Sequence, residues 1–123
     1  MIKSGQRRKQ RRFRFTAPLH ERQKFAHAHI SKELREKLGI KMRSIQIRKG
    51  DSVKVMSGKY KKLVGAVKEV DMKNCMLTID SIKRKTAKGK EVHVPIHISN
   101  VYITDLDLGD KLRKAKIDAT KAK

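Results

Sequence analysis

Five histidines and one cysteine are the side chains of this 123-residue sequence that first suggest chemistry. His27 and His29 lie two apart, and His93 and His97 stand at even spacing on the polar side of one alternating run. Structural zinc needs four nitrogen or sulfur ligands in paired spacing, and Cys75 has no companion. Hydrogen bonding, to backbone or to a bound partner, is the ordinary account of these imidazoles. A single cysteine forms no intrachain disulfide, and at the start of an apolar strand its expected role is buried packing. No Ser or Cys has an evident base partner, acids are scarce, and no glycine loop of the phosphate-cradling kind occurs. Asp51 resembles a functional acid, but beside Gly50 it reads as a turn residue that accepts nearby backbone N–H groups. Neither an enzyme nor a cofactor is indicated.

The chemistry that does stand out is cationic. Arg7, Arg8, Lys9, Arg11, Arg12 and Arg14 form a cluster without an acid. Lys59, Tyr60, Lys61 and Lys62 form a second group, and Lys83, Arg84, Lys85, Lys88 and Lys90 a third. Lys and Arg number 33 against 12 Asp and Glu, a formal net charge of +21. That self-repulsion calls for a polyanion. Nucleic acid leads. An anionic membrane comes second, because no apolar run approaches the roughly 18 residues of a spanning helix and the basic N-terminus lacks an apolar face. Residues 2–15 also have the composition of a mitochondrial transit peptide, but with one Ser and no helical apolar face. Aromatic content is 4% with no Trp, so base-stacking platforms are poorly supplied and phosphate and shape recognition is expected. Arg suits bidentate phosphate contacts. Phe13 and Phe15 either stack on bases or pack against the fold.

Three segments must position these groups. Residues 1–47 open with the Arg cluster, too dense in charge to fold alone and expected to stay extended or disordered until RNA is met. Two short helices follow, one with Pro18 as its first residue. The other is capped by Ser31, apolar at Leu34 and Leu38, and closed by Gly39. From Arg48 the period changes to two: Val53 and Val55; Leu77 and Ile79; Val92, Val94, Ile96 and Ile98; Val101 and Ile103. Turn residues lie between these runs, and Pro95 argues for an edge or bend. The expected fold is mainly β, a small barrel spanning residues 48–106. Lys83 to Lys90 should form a basic hairpin projecting from it. Residues 107–123 are a basic tail, in which Leu108, Leu112 and Ala115 could line a marginal helix, and which is expected to settle on a partner.

The run Lys49-Gly50-Asp51-Ser52-Val53-Lys54-Val55-Met56-Ser57-Gly58-Lys59-Tyr60-Lys61-Lys62-Leu63-Val64-Gly65-Ala66-Val67 resembles a KOW motif. Gly58 permits the reversal, and Gly65 lets the next strand twist or bulge without a Cβ clash. The motif usually has Gly where Lys62 stands, so the loop is expected to differ in shape while gaining a charge. The flanks Ser31-Lys32-Glu33-Leu34-Arg35-Glu36-Lys37 and Val92-His93-Val94-Pro95-Ile96-His97-Ile98-Ser99-Asn100-Val101 closely resemble one family. It is the universal large-subunit ribosomal protein numbered twenty-four in bacteria and twenty-six in eukaryotes, in its archaeal–eukaryotic branch. The resemblance implies an SH3-like barrel on the 5′ domain of large-subunit ribosomal RNA, near the polypeptide exit tunnel. It also implies neighbouring proteins at the tunnel rim, a role in early subunit assembly, and a cytoplasmic ribosome. The short tail favours an archaeal source.

Three other readings are weaker. A KOW module of an elongation factor would carry a further domain, a nucleic-acid-processing enzyme would need clustered acids or metal ligands, and a DNA-coating protein is permitted only by composition.

Overall fold

The computed structural model describes residues 3–121. Met1 and Ile2 of the basic arm, and Ala122 and Lys123 of the tail, lie outside the described residues. Among the described residues, seven strands form one sheet: β1 (His27–Ile30), β2 (Ser44–Gln46), β3 (Ser52–Val55), β4 (Val64–Asp71), β5 (Met76–Lys85), β6 (Glu91–His97) and β7 (Val101–Asp105). Their order is β2-β1-β7-β3-β4-β5-β6. All neighbours are antiparallel except β1 and β7, which run parallel. The mainly-β, barrel-like reading therefore stands. The alternating residues Val53, Val55, Leu77, Ile79, Ile96, Val101 and Ile103 are buried, as a period of two requires.

Two strands were not legible. β1 and β2 precede Arg48, where only helices were expected, and each has at most four residues. Ala28, Ile30 and Ile45 nevertheless enter the same core as the later strands. The alternation of β6 also fails at its start. Val92 is 52% exposed, because it pairs with Arg84 in the part of the hairpin beyond the core. On β5 the buried phase shifts from Leu77 and Ile79 to Ile82, where the β5–β6 register is irregular. Pro95 lies on β6, the edge strand, where a missing donor can face away from the ladder.

Among the described residues, four α-helices and one 3-10 turn (Ile98–Asn100) accompany the sheet. In α3 (Lys32–Leu38), the Ser31 hydroxyl accepts the N–H of Leu34 at 3.2 Å, and Gly39 closes the helix at φ 62°. Pro18 is the residue before α2 (Leu19–Phe25), one position earlier than expected. The Arg cluster is not extended: residues Arg7–Thr16 form α1. Arg, Lys and Gln are good helix formers, the Gln10 amide donates to the Ser4 carbonyl at 2.6 Å, and Phe13 meets Phe25 edge-on at 6.1 Å. Finally, α4 (Lys111–Asp118) folds the tail back onto the chain. Its inner residues are Arg113 and Ile117, not the expected Leu108, Leu112 and Ala115, and Leu112 is 81% exposed.

Gly65 illustrates how tightly β4 and β5 approach. A Cβ there would lie 2.5 Å from Ser81 Oγ and 2.6 Å from Ile79 Cγ2. Its φ is not positive, so what the position requires is space rather than left-handed backbone.

Candidate nucleic-acid interface

The cations expected from the sequence occupy three places. Arg7, Arg8, Lys9, Arg11 and Arg12 lie exposed along α1, with no acid before Glu21 in the sequence. Arg14 differs: its guanidinium reaches Cys75 Sγ at 3.5 Å and lies 5.6 Å from the Phe25 ring centre. It ties the arm to the fold. Phe13 and Phe15 differ in placement. Phe13 packs on Phe25, whereas Phe15 is 71% exposed with the Lys73 ammonium 6.0 Å from its ring.

The second place is the β3–β4 loop. Gly58 takes φ 89° and Lys62 φ 74°, so Lys62 adopts the left-handed backbone of the glycine it replaces. The loop thus keeps the shape of a glycine-bearing one, against expectation, and gains the charge. Lys59, Lys61 and Lys62 are exposed, but Tyr60 is partly buried against the core and anchors the loop from beneath.

The third is the β5–β6 hairpin. The Thr86 N–H donates to the Lys90 carbonyl at 2.9 Å, with Gly89 at φ 78°. Arg84, Lys85, Lys88 and Lys90 are exposed, and Lys83 pairs with Glu91 at 3.4 Å.

Register decides which of these meet. β5 runs antiparallel to β4, and Ser81 Oγ donates to the Val64 carbonyl at 3.3 Å. The end of β5 therefore lies beside the start of β4, so the lysine loop and the basic hairpin leave the same end of the sheet. The β4–β5 turn lies at the other end, and α1 contacts it through Arg14 and Phe15. Asp71 shapes that turn by accepting from Lys73 N–H at 2.8 Å and from the Asn74 amide at 2.7 Å. These bonds, those of Asn74 foremost, hold its carboxyl below the ordinary carboxylate range. Cys75 follows, buried as expected, at φ 55°.

Several acids serve the fold itself. Asp51 is fully buried and accepts from Arg48 N–H (2.8 Å), Asp107 N–H (3.0 Å) and both terminal nitrogens of Arg113 (2.6 and 2.7 Å). The turn role is confirmed, and the buried ion pair is an addition the sequence did not announce. Arg113 also donates to the carbonyls of Asp107 and Gln46, at 3.0 and 3.1 Å. Asp110 pairs with Arg48, and Asp118 with Lys121 at 2.5 Å. Both carboxyls are held below their ordinary range chiefly by those side-chain hydrogen bonds.

Three of the five histidines are engaged locally. His93 Nδ1 meets the Ile79 carbonyl at 3.3 Å and its Nε2 the Lys68 ammonium at 2.8 Å. His97 Nδ1 bonds Ser99, and His29 stands edge-on to Tyr102 at 5.9 Å. Burial, with Lys116 nearby, lowers the pKa of His27. Among the described residues no three of His, Cys, Asp and Glu gather as a metal site, and no helix is long and apolar enough to cross a membrane. Sequence reasoning also passed over Arg48, Lys49 and Lys68, which border a cleft between α2, β2 and β4.

Comparison with known proteins identifies the family. The family model for the eukaryotic ribosomal proteins L26 and their archaeal counterparts, numbered twenty-four, matches residues 4–120. A relative from Methanothrix thermoacetophila, named large ribosomal subunit protein uL24, is 51% identical over 90% of this chain and 94% of its own. Relatives of the same name from Korarchaeum cryptofilum and Pyrobaculum islandicum are 46% and 41% identical, over 95% and 96% of this chain and 88% and 94% of theirs. With nearly its whole length matched, the chain belongs to this ribosomal protein family, whose members are structural rather than catalytic.

Proposed function

We propose that this chain is a structural constituent of the large ribosomal subunit that holds ribosomal RNA through phosphate and shape recognition. The observation that carries the reading is the division of charge. Asp51, Glu91, Asp110 and Asp118 pair with cations of the same chain, while α1, the β3–β4 loop and the hairpin tip present exposed cations without an acid partner among the described residues. A-form RNA hides its base edges in a deep groove, so an interface of this kind follows backbone geometry. Two ends of one rigid sheet bear cations, which suits a protein that bridges separate RNA helices. Together with family membership, this favours contact with the 5′ domain of large-subunit RNA near the exit tunnel, beside other rim proteins of the cytoplasmic ribosome. A part in early subunit assembly follows from the same reading.

Ultraviolet crosslinking in the cells of origin, with sequencing of the attached RNA, tests it. Crosslinks concentrated at one place in the 5′ domain of large-subunit RNA are expected. Crosslinks dispersed over nascent transcripts would replace the reading with an elongation-factor role.

A further inference from the structure

The cleft bordered by Arg48, Lys49 and Lys68 has a volume of about 680 Å³. That lies within the roughly 300–1,000 Å³ typical of small-ligand sites and is ample for one nucleotide. Its chemistry differs from that of the exposed loops. Gln23 on α2 and Gln46 at the end of β2 are partly buried in its wall. Neither carboxamide has a hydrogen-bond partner among the described residues, although the Gln46 backbone carbonyl accepts from Arg113. Both carboxamides remain open to solvent, so the two residues supply the lining with donors and acceptors that a ligand can take over from water. Beneath lie apolar side chains: Ile47 is buried, and Val70 and Met72 pack partly buried on the core.

Amides, an apolar floor and a cationic border are the requirements of a nucleotide. A Gln carboxamide offers the paired donor and acceptor that match the N6 and N7 edge of adenine. An apolar floor covers the face of a base, and cations meet the flanking phosphates. Arg48, paired with Asp110, closes one side of the border, and the Lys68 ammonium rests 2.8 Å from His93 Nε2. Glu69, the one acid of the lining, can accept from a ribose 2′-hydroxyl or an exocyclic amine.

We infer that this cleft receives one nucleotide extruded from the stack of a bound RNA, its base edge on Gln23 and Gln46 and its neighbouring phosphates on Lys49 and Lys68. The inference rests on the RNA-binding reading above and adds a point of base readout to an interface otherwise built on phosphate and shape.

Binding of the full chain to two RNA hairpins tests it. One hairpin carries a single unpaired adenosine in its stem, and the other is fully paired. Fluorescence anisotropy should show the unpaired adenosine favoured by roughly tenfold, the discrimination expected of one bidentate base contact. A Gln23→Leu/Gln46→Leu double variant should bind both hairpins as the unsubstituted chain binds the paired one. In the unsubstituted chain, the side-chain amide resonances of Gln23 and Gln46 should shift with the unpaired-adenosine hairpin and not with the paired one, a readout independent of how the variant folds. Equal binding of the two hairpins, a preference that survives in a folded double variant, or unmoved amide resonances would each overturn the inference while leaving RNA binding intact. Binding of both hairpins no tighter than inorganic polyphosphate of equal charge would remove the RNA-binding reading itself, and this inference with it.

Discussion

Asp51 and Arg113 lie 62 positions apart in sequence and form the buried ion pair of the fold. A buried pair adds little compared with an apolar replacement of both partners, but losing one partner strands the other charge. Arg113→Met should therefore destabilise the protein by roughly 3–5 kcal/mol, read from urea unfolding. A loss under about 1 kcal/mol would mean that water reaches Asp51 and that α4 contributes little. His27 gives a pH dependence of definite sign. Its pKa is lowered from the ordinary 6.5 by burial and then by Lys116. Below about pH 6.5 the unfolded chain then binds more protons than the folded one, so stability is full above that pH and declines as pH falls through it. The decline levels off once the folded form is protonated as well. Asp71, Asp110 and Asp118 have pKa values lowered from 3.8, so their titration falls outside this window. His27→Gln should flatten the fall of the thermal midpoint between about pH 7 and pH 5. An unchanged slope would assign the dependence to another group.

At the scale of elements, the β3–β4 loop shows a glycine conformation imposed on a lysine. A non-glycine residue in left-handed backbone costs about 1–2 kcal/mol, and glycine returns part of this through its freer unfolded state. Lys62→Gly should thus raise stability by a net of roughly 0.5 kcal/mol while weakening RNA binding through the missing charge. A lower urea midpoint would show that the Lys62 side chain itself stabilises the loop. The motif's spacing announced this loop, and the departure at Lys62 was visible in the sequence. What was not visible is that the loop would keep its shape, because that depends on bonds from the loop to its strands: the Lys62 N–H donates to the Val55 carbonyl at 2.8 Å. The helix at Ser31 to Gly39 was fully legible, since its cap, apolar spacing and stop are all local. β1 and β2 were not, because strands of four and three residues show too little alternation to be distinguished from loop.

For the whole molecule, the question is where the charge lies relative to the core. No residue of α1 is buried, and its ties to the fold are Arg14, Phe13 and Phe15. Removing residues 1–15 should leave the sheet folded, by circular dichroism, and lower the salt dependence of RNA affinity. Each phosphate that the truncated chain no longer neutralises should reduce the logarithmic slope by about 0.7 to 0.9. An unfolded truncation would show that α1 is part of the folding unit, and an unchanged slope that its arginines do not reach phosphates. The sequence alone determined the charge that calls for a polyanion, the mainly-β class, and the motif and flanking segments that resemble the family, because net charge, a period of two and residue spacing are properties of the linear chain. Only the tertiary structure decided that the arm is helical, that the tail is pinned through Arg113 to Asp51, and that the lysine loop and hairpin share one end of the sheet. It alone also drew Gln23, Gln46 and Lys68 around one cleft. Those outcomes depend on strand register and on a buried charge finding its partner 62 residues away, and neither leaves a local signature in the sequence.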